Sequence, residues 1–199
     1  VSIELIINEG EESRIKNINI VGNTQYPEDE LLQLFELGTK PWYLFLSKRD
    51  RYSREQFSGD LERLESFYLD NGFVEFEIDS TPISITPNRE EVFITINVNE
   101  GALFEVAEVD LAGDLVDAEA LLRAALFIRT GQIFSQGLVT ATEEVMVQFL
   151  GNLGYAFAEV TGVPEVNDNG DTVDITFFVH FTLSFRKFSS LSKAAMRNS

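Results

Sequence analysis

Apolar and polar residues alternate along RIKNINIV, residues 14–21, with Ile18 and Ile20 sharing a face and Ile15 standing apart. An apolar residue at every second position marks a half-buried strand, and Gly22-Asn23 closes it as a turn. The period then lengthens. Pro27 suits a first helical position, and Glu28, Asp29 and Glu30 suit the positive end of a helix. Leu31, Leu34 and Phe35 give that short helix its apolar stripe. After a loop over 38–52, Ser53-Arg54-Glu55-Gln56 reads as a capping box. Phe57, Leu61, Leu64 and Tyr68 follow at i, i+4, i+7 and i+11, the spacing of a second helix with one core-facing stripe. Gly72 suits the left-handed residue beyond its end. The period returns to two in FVEFEIDSTPISI, 73–85, and EVFITINV, 91–98, joined by a turn at Thr86-Pro87-Asn88-Arg89.

The same order then recurs. Phe104–Ala112 predicts a strand, Asp117 caps a helix through Leu121, Leu122 and Leu126, and Ser135 caps another with Leu138, Val145, Met146 and Phe149 inward, ending at Gly154. YAFAEVTGVPEV, 155–166, and TVDITFFV, 172–179, are the last strands, joined through Asp168-Asn169-Gly170-Asp171. The unit is strand, helix, helix, strand, strand, once over 14–101 and again over 102–181. Its junction is written twice. Val1–Asn23 overlays Val92–Asp114 without a gap, and Val1, Ile3, Asn8, Glu9, Gly10 and Gly22 recur as Val92, Ile94, Asn99, Glu100, Gly101 and Gly113. A gapless internal match implies a duplicated unit, at a spacing that suits a small domain. Val1–Ile7 is thus expected to be the final strand of a preceding module, with 1–13 its end and linker. A third copy begins at Val173 but breaks where His180-Phe181-Thr182 replaces Asn-Glu-Gly. Residues 182–199 turn Ser-rich and basic, with Arg186, Lys187, Lys193 and Arg197 and no acid. They do not fit the module and read as an appended or frame-shifted stretch, the alternative being a genuine divergent tail.

Composition narrows the chemistry. With 199 residues, 44% hydrophobic and 17 Phe, the chain can bury real cores. A formal charge of −18 argues against a nucleic-acid partner. The absence of cysteine excludes disulfides and thiolate metal sites. No apolar run approaches the length of a membrane-spanning helix, and no secretory signal opens the chain, which reads as an internal piece of a longer protein. Enzymatic readings fare poorly. The single histidine, His180 in FFVHF, reads as a strand-end residue, and the serines have no histidine partner in a recognisable arrangement. EVNDNGD, 165–171, fails the calcium-loop pattern because its twelfth position is Thr176. No cofactor or metal is expected.

The chemistry left is that of backbone at a sheet edge. In 73–85 the apolar residues change parity, Phe76 and Ile78 even, Ile83 and Ile85 odd, which signals a bulge between Asp79 and Pro82. Pro82 cannot donate to a ladder, so it too fits an edge or bulge. Two readings follow. Glu75, Glu77, the bulge and Pro82 blunt the edge against aggregation, or the edge docks another strand.

RIKNINIVGN (14–23), GDLERLESFYLDNGF (59–73) and LGNLGYAFAEV (150–160), in serial units joined through Asn-Glu-Gly, resemble the POTRA domains of the BamA family of outer-membrane β-barrel assembly factors. The resemblance covers about residues 1–181 and implies the tail of the second module, then the third and fourth. It implies an α+β fold of tandem βααββ POTRA modules, each a three-stranded mixed sheet packed on two helices. It implies a non-catalytic scaffold on the periplasmic side of the bacterial outer membrane, in a parent protein anchored by a barrel. The implied partners are unfolded outer-membrane proteins and a β-propeller accessory lipoprotein. The alternative is a POTRA segment of a two-partner secretion transporter or a chloroplast import channel. The resemblance favours docking, at an edge comprising Phe73, Glu75, Phe76, Glu77, Ile78, Asp79, Pro82, Ile83 and Ile85. Phe76, Ile78, Ile83 and Ile85 are expected to frame it, and Glu75 and Glu77 to tune its register. The stretch Asp79–Thr86 suits the lipoprotein contact. PWYLFL, 41–46, is a second possible contact, although such a loop more often folds under its own module.

Overall fold

The computed structural model describes residues 13–39, 50–115, 118–168 and 170–183. The predicted Val1–Ile7 strand, the PWYLFL loop, the Asp117 cap, Asn169 of the turn and the tail from residue 184 lie outside the described residues. The chain divides into two compact units near Gly101, with Leu69–Val74 grouped with the second.

The first unit runs β1 (Arg14–Val21), α1 (Glu28–Leu31, continued by a 3₁₀ turn over Leu32–Leu34), α2 (Arg54–Asp70), β2 (Glu77–Ser80), β3 (Ile83–Ile85) and β4 (Glu91–Asn99). β4 is central, parallel to β1 and antiparallel to both β2 and β3. Its strict alternation explains this place: Val92, Ile94, Ile96 and Val98 are all buried, as are Phe57, Leu64 and Tyr68 along α2. Ile15 stands apart in the sequence because the β1 register shifts between Ile15 and Asn17, which returns Ile15, Ile18 and Ile20 all to the core. Pro27 caps α1 from outside, and the helix lasts a single turn. The long strand predicted over 73–85 splits into β2 and β3, so this sheet counts four strands.

The second unit runs β5 (Glu105–Gly113), α3 (Glu119–Ala124), α4 (Gln136–Asn152), β6 (Tyr155–Val166) and β7 (Thr172–Leu183). β7 is central, parallel to β5 and antiparallel to β6. The Ser135 hydroxyl accepts the Leu138 amide at 3.3 Å, the predicted cap. The stripe it starts is rotated slightly from the predicted one: Met146 is in the core and Val145 and Phe149 pack against it as expected, but Leu138 does not. Val139, Thr142, Met146 and Leu150 are buried, while Leu138 is 37% exposed. The cap fixes Leu138 in the first turn, and Thr142 hides in the stripe because its hydroxyl donates to Leu138 O (2.8 Å) and accepts the Phe127 amide (3.1 Å). In α3, likewise, Leu122 is buried and Leu121 is exposed.

The repeated glycine has a steric cause. A Cβ on Gly22 (φ +102°) would lie 2.0 Å from Val98 O, and one on Gly113 (φ +93°) 2.3 Å from Val179 O. Only glycine supplies this φ and this clearance. No helix among the described residues is long and apolar enough to cross a membrane, which says nothing of β-barrels.

Candidate functional site: an open edge of the first unit

Among the described residues, β2 and β3 pair with β4 alone. Residues 77–85 therefore form an edge and not an interior strand. The register runs Glu77 to Asn99, Ile78 to Val98 and Ser80 to Asn97, leaving Asp79 as the bulged residue. Asn97 Nδ2 donates to Ser80 Oγ at 2.8 Å beside the bulge. Beyond it, Ile83, Ser84 and Ile85 oppose Ile94, Phe93 and Val92.

Hydrogen bonds fix which backbone groups point outward. Thr95 N donates to Pro82 O, and Thr86 N to Glu91 O, both at 3.0 Å. In an antiparallel ladder alternate residues turn both polar groups to the partner. Pro82, Ser84 and Thr86 thus face β4, while Ile83 and Ile85 turn amide and carbonyl to the open side. The same alternation along β4 sets Glu77 and Ser80 inward and Ile78 outward. The bulge decides this outcome. It turns the proline nitrogen toward Thr95, where one ladder bond is lost, and leaves the isoleucine amides on the rim.

The predicted residues separate accordingly. Ile83 (37% exposed) and Ile85 (54%) lie on the rim with the half-buried Ile78. Glu75, Glu77, Asp79 and Pro82 are exposed. Phe73 and Phe76 are buried, and Phe76 stacks on Tyr68 with ring centroids 4.1 Å apart. Phe76 thus lies in the core behind the edge and does not frame it, and Phe73 is buried outside both edge strands.

The opposite edge of the sheet is bonded at both ends. Ile15 N donates to Asp50 O at 2.6 Å, Tyr52 N to Ser13 O at 3.2 Å, and Ile20 N to the Glu28 carboxylate at 2.7 Å. A helix-starting acid, read in the sequence only as dipole complement, also closes β1.

Sequence reasoning also missed Glu100, the acid of the repeated Asn-Glu-Gly. It is buried, and its carboxylate accepts the Thr24 amide (2.9 Å) and hydroxyl, the Gln25 amide (3.2 Å) and the Tyr68 hydroxyl (2.8 Å). Burial alone would raise its pKa, but the hydrogen bonds from Thr24, Tyr68 and the two amides outweigh burial and hold it below the usual carboxylate range. Burial, then the bond to Glu100, pushes the Tyr68 hydroxyl up. The signal was present: an acid that recurs unchanged in both copies of the junction, as Glu9 and Glu100. Asp60, fully buried on α2, was missed as well; it accepts the Glu36 and Leu37 amides (2.7 and 2.9 Å) and an Arg63 Nη1 bond at 2.6 Å. The lone histidine, His180, is exposed, with Nδ1 3.9 Å from an Asp114 oxygen.

Comparison with known proteins places this geometry. BamA of Buchnera aphidicola subsp. Acyrthosiphon pisum, an outer membrane protein assembly factor, is 29% identical over 178 residues, covering 89% of this chain and 29% of that protein. BamA of Neisseria meningitidis serogroup B is 27% identical over 180 residues, 90% of this chain and 23% of that protein. The chain thus spans less than a third of the length of these curated relatives. The crystal structure of Haemophilus influenzae BamA POTRA3-5 matches with a TM-score of 0.75 and 25% identity, covering 89% of this chain and 69% of that one. The POTRA family model, described as surface antigen variable number repeat, matches residues 13–101 and again 104–180. Each match spans one of the two units, and the chain belongs to the POTRA family.

Proposed function

We propose that the chain is a non-catalytic periplasmic scaffold of outer-membrane protein assembly, which holds extended client segments by adding them as a strand to the β2–β3 rim. One observation carries this: Ile78, Ile83 and Ile85 turn their main-chain groups to a side with no sheet neighbour among the described residues, while the other edge of the same sheet is bonded at both ends. The names of the relatives support the biological setting.

The chemistry suits the task. Each added backbone hydrogen bond contributes about 0.5–1.5 kcal/mol net. A handful of them, less the entropy of association, gives capture of about micromolar to millimolar strength. Ile83 and Ile85 extend the helix-covered side of the sheet, so an incoming strand sets every second side chain beside them. That reads alternation and not a particular sequence, and alternation is what barrel strands share. The same stretch, 79–86, serves a β-propeller accessory lipoprotein, in competition with client strands.

The test is a backbone-amide NMR titration of the chain with unfolded barrel-strand peptides. Shifts concentrated in residues 77–86 are expected. Scattered shifts, or none at millimolar peptide, would reject the reading in favour of an edge merely blunted against aggregation.

A further inference from the structure

The second unit offers a longer edge than the first, and its rim is treated differently. Asn167 N donates to Thr172 O at 3.0 Å, which sets the alternation along β6. Glu165, Val163 and Thr161 face β7, whereas Val166, Pro164, Gly162 and Val160 turn outward. Pro164 has no amide to offer there. The Gly162 amide is already taken: it donates to Glu143 Oε1 of α4 at 2.6 Å. Glu143 reaches the rim because α4 lies close to it. A Cβ on Gly162 would sit 2.5 Å from Val139 Cγ1, and Val139 is one turn before Glu143 on the same helix face. The far edge of this sheet is covered too, since Val106 N donates to Gln132 O and Gly131 N to Val106 O, both at 2.8 Å.

The internal repeat isolates what differs. Helices α2 and α4 and the strands after them correspond with a constant offset, Arg54 to Gln136, Gly72 to Gly154, Pro82 to Pro164. Gly162 then corresponds to Ser80 and Glu143 to Leu61. The first unit has a hydrocarbon side chain where the second has an acceptor. Its Asp79 bulge also turns the shared proline inward, whereas β6 carries its bulge earlier, between Ala156 and Glu159, and leaves Pro164 outward.

We propose that Glu143 is a specificity-determining cap: its carboxylate occupies the rim amide of Gly162, so the second unit refuses the strand that the first accepts. This rests on the function proposed above and adds which of two homologous rims is available. The cap competes directly with an incoming carbonyl. A charge-assisted hydrogen bond outweighs a neutral one, so a client strand gains nothing by displacing it.

The test uses the full chain, the variants Glu143→Ala and Glu143→Gln, and a synthetic ten-residue strand of alternating apolar and polar residues. Amide hydrogen exchange and peptide titration are both followed by NMR. In Glu143→Ala the Gly162 amide is expected to exchange about tenfold faster or more, and peptide shifts appear over 158–166 that the unaltered chain lacks. Glu143→Gln keeps an acceptor but loses its charge, so its Gly162 exchange and its peptide shifts are expected to fall between those of the unaltered chain and Glu143→Ala. Unchanged Gly162 exchange in Glu143→Ala, or peptide binding at 158–166 in the unaltered chain, overturns the cap. So do shifts that remain confined to 77–86 in Glu143→Ala, an outcome that leaves the docking function standing. New shifts over 158–166 with none at 77–86 support the cap and reject the docking role of the first rim.

Discussion

Glu100 gathers two amides and two hydroxyls onto one buried carboxylate, tying the end of β4 to the turn after β1 and to α2. Removing it leaves the buried Tyr68 hydroxyl without its acceptor and takes the shared partner from the part-buried Thr24 and Gln25 donors. Glu100→Ala is expected to cost roughly 3 kcal/mol and Glu100→Gln about 2 kcal/mol, measured by urea denaturation. The pH dependence follows from the lowered pKa. Stability from Glu100 is fully present above its ordinary value of 4.5 and is lost as pH falls through the lower folded value. Glu100→Gln should therefore flatten part of the acid limb of the stability profile below pH 4.5; an unchanged limb would assign it to other carboxylates. The repeated glycines act at the same scale. Gly22→Ala forces a Cβ against Val98 O in a left-handed backbone, and a loss of roughly 2 kcal/mol or more is expected, whereas Gly151→Ala, with open space around it, should not destabilise.

At the scale of elements, the rim is a matter of which residues point outward. Ile85→Pro removes an outward amide and leaves the inward ladder of Ser84 and Thr86 in place. Peptide affinity should fall by roughly fivefold, one hydrogen bond's worth, with little change in stability. Ser84→Pro removes an inward donor and should instead destabilise the sheet. Ile85→Ala keeps the amide and separates the side-chain share from the backbone share. Equal effects of Ile85→Pro and Ile85→Ala would mean that hydrophobic contact, not main-chain pairing, binds the peptide. The sequence carried half of this. The parity change between Ile78 and Ile83 announced the bulge, but parity cannot say which way Pro82 turns, because that depends on the ladder bonds to Thr95 and Glu91. Phe76 shows the converse limit: a strand pattern gives its face, but its stacking on Tyr68 arises from a helix that the strand pattern does not contain.

For the whole molecule the charge of −18 and the backbone character of the rim make separable predictions. Main-chain pairing is neutral, so affinity for an uncharged strand peptide should change less than about twofold between low and physiological salt. A lysine-rich peptide of the same pattern should bind more tightly at low salt and lose that gain as salt rises. Strong salt dependence for both peptides would mark the acidic surface, not the rim, as the binding determinant.

The sequence by itself determined the broad order of elements, the duplication and most of the faces that are buried, because these follow from periodicity, and periodicity is local along the chain. It also held the junction glycine and acid, though not their reasons: the clearance at Gly22 is set by Val98, and the partners of Glu100 lie on Thr24, Gln25 and Tyr68, far away along the chain. Only the tertiary structure decided which edges are open. Asp50 and Glu28 take the Ile15 and Ile20 amides of β1, Glu143 takes the Gly162 amide of β6, and nothing among the described residues pairs with the outer side of β2 and β3. Whether an edge is available depends on whether another segment brings a carbonyl or carboxylate within hydrogen-bond reach of its amides. That distance is a property of the folded chain, and no pattern of hydrophobic and polar residues encodes it one strand at a time.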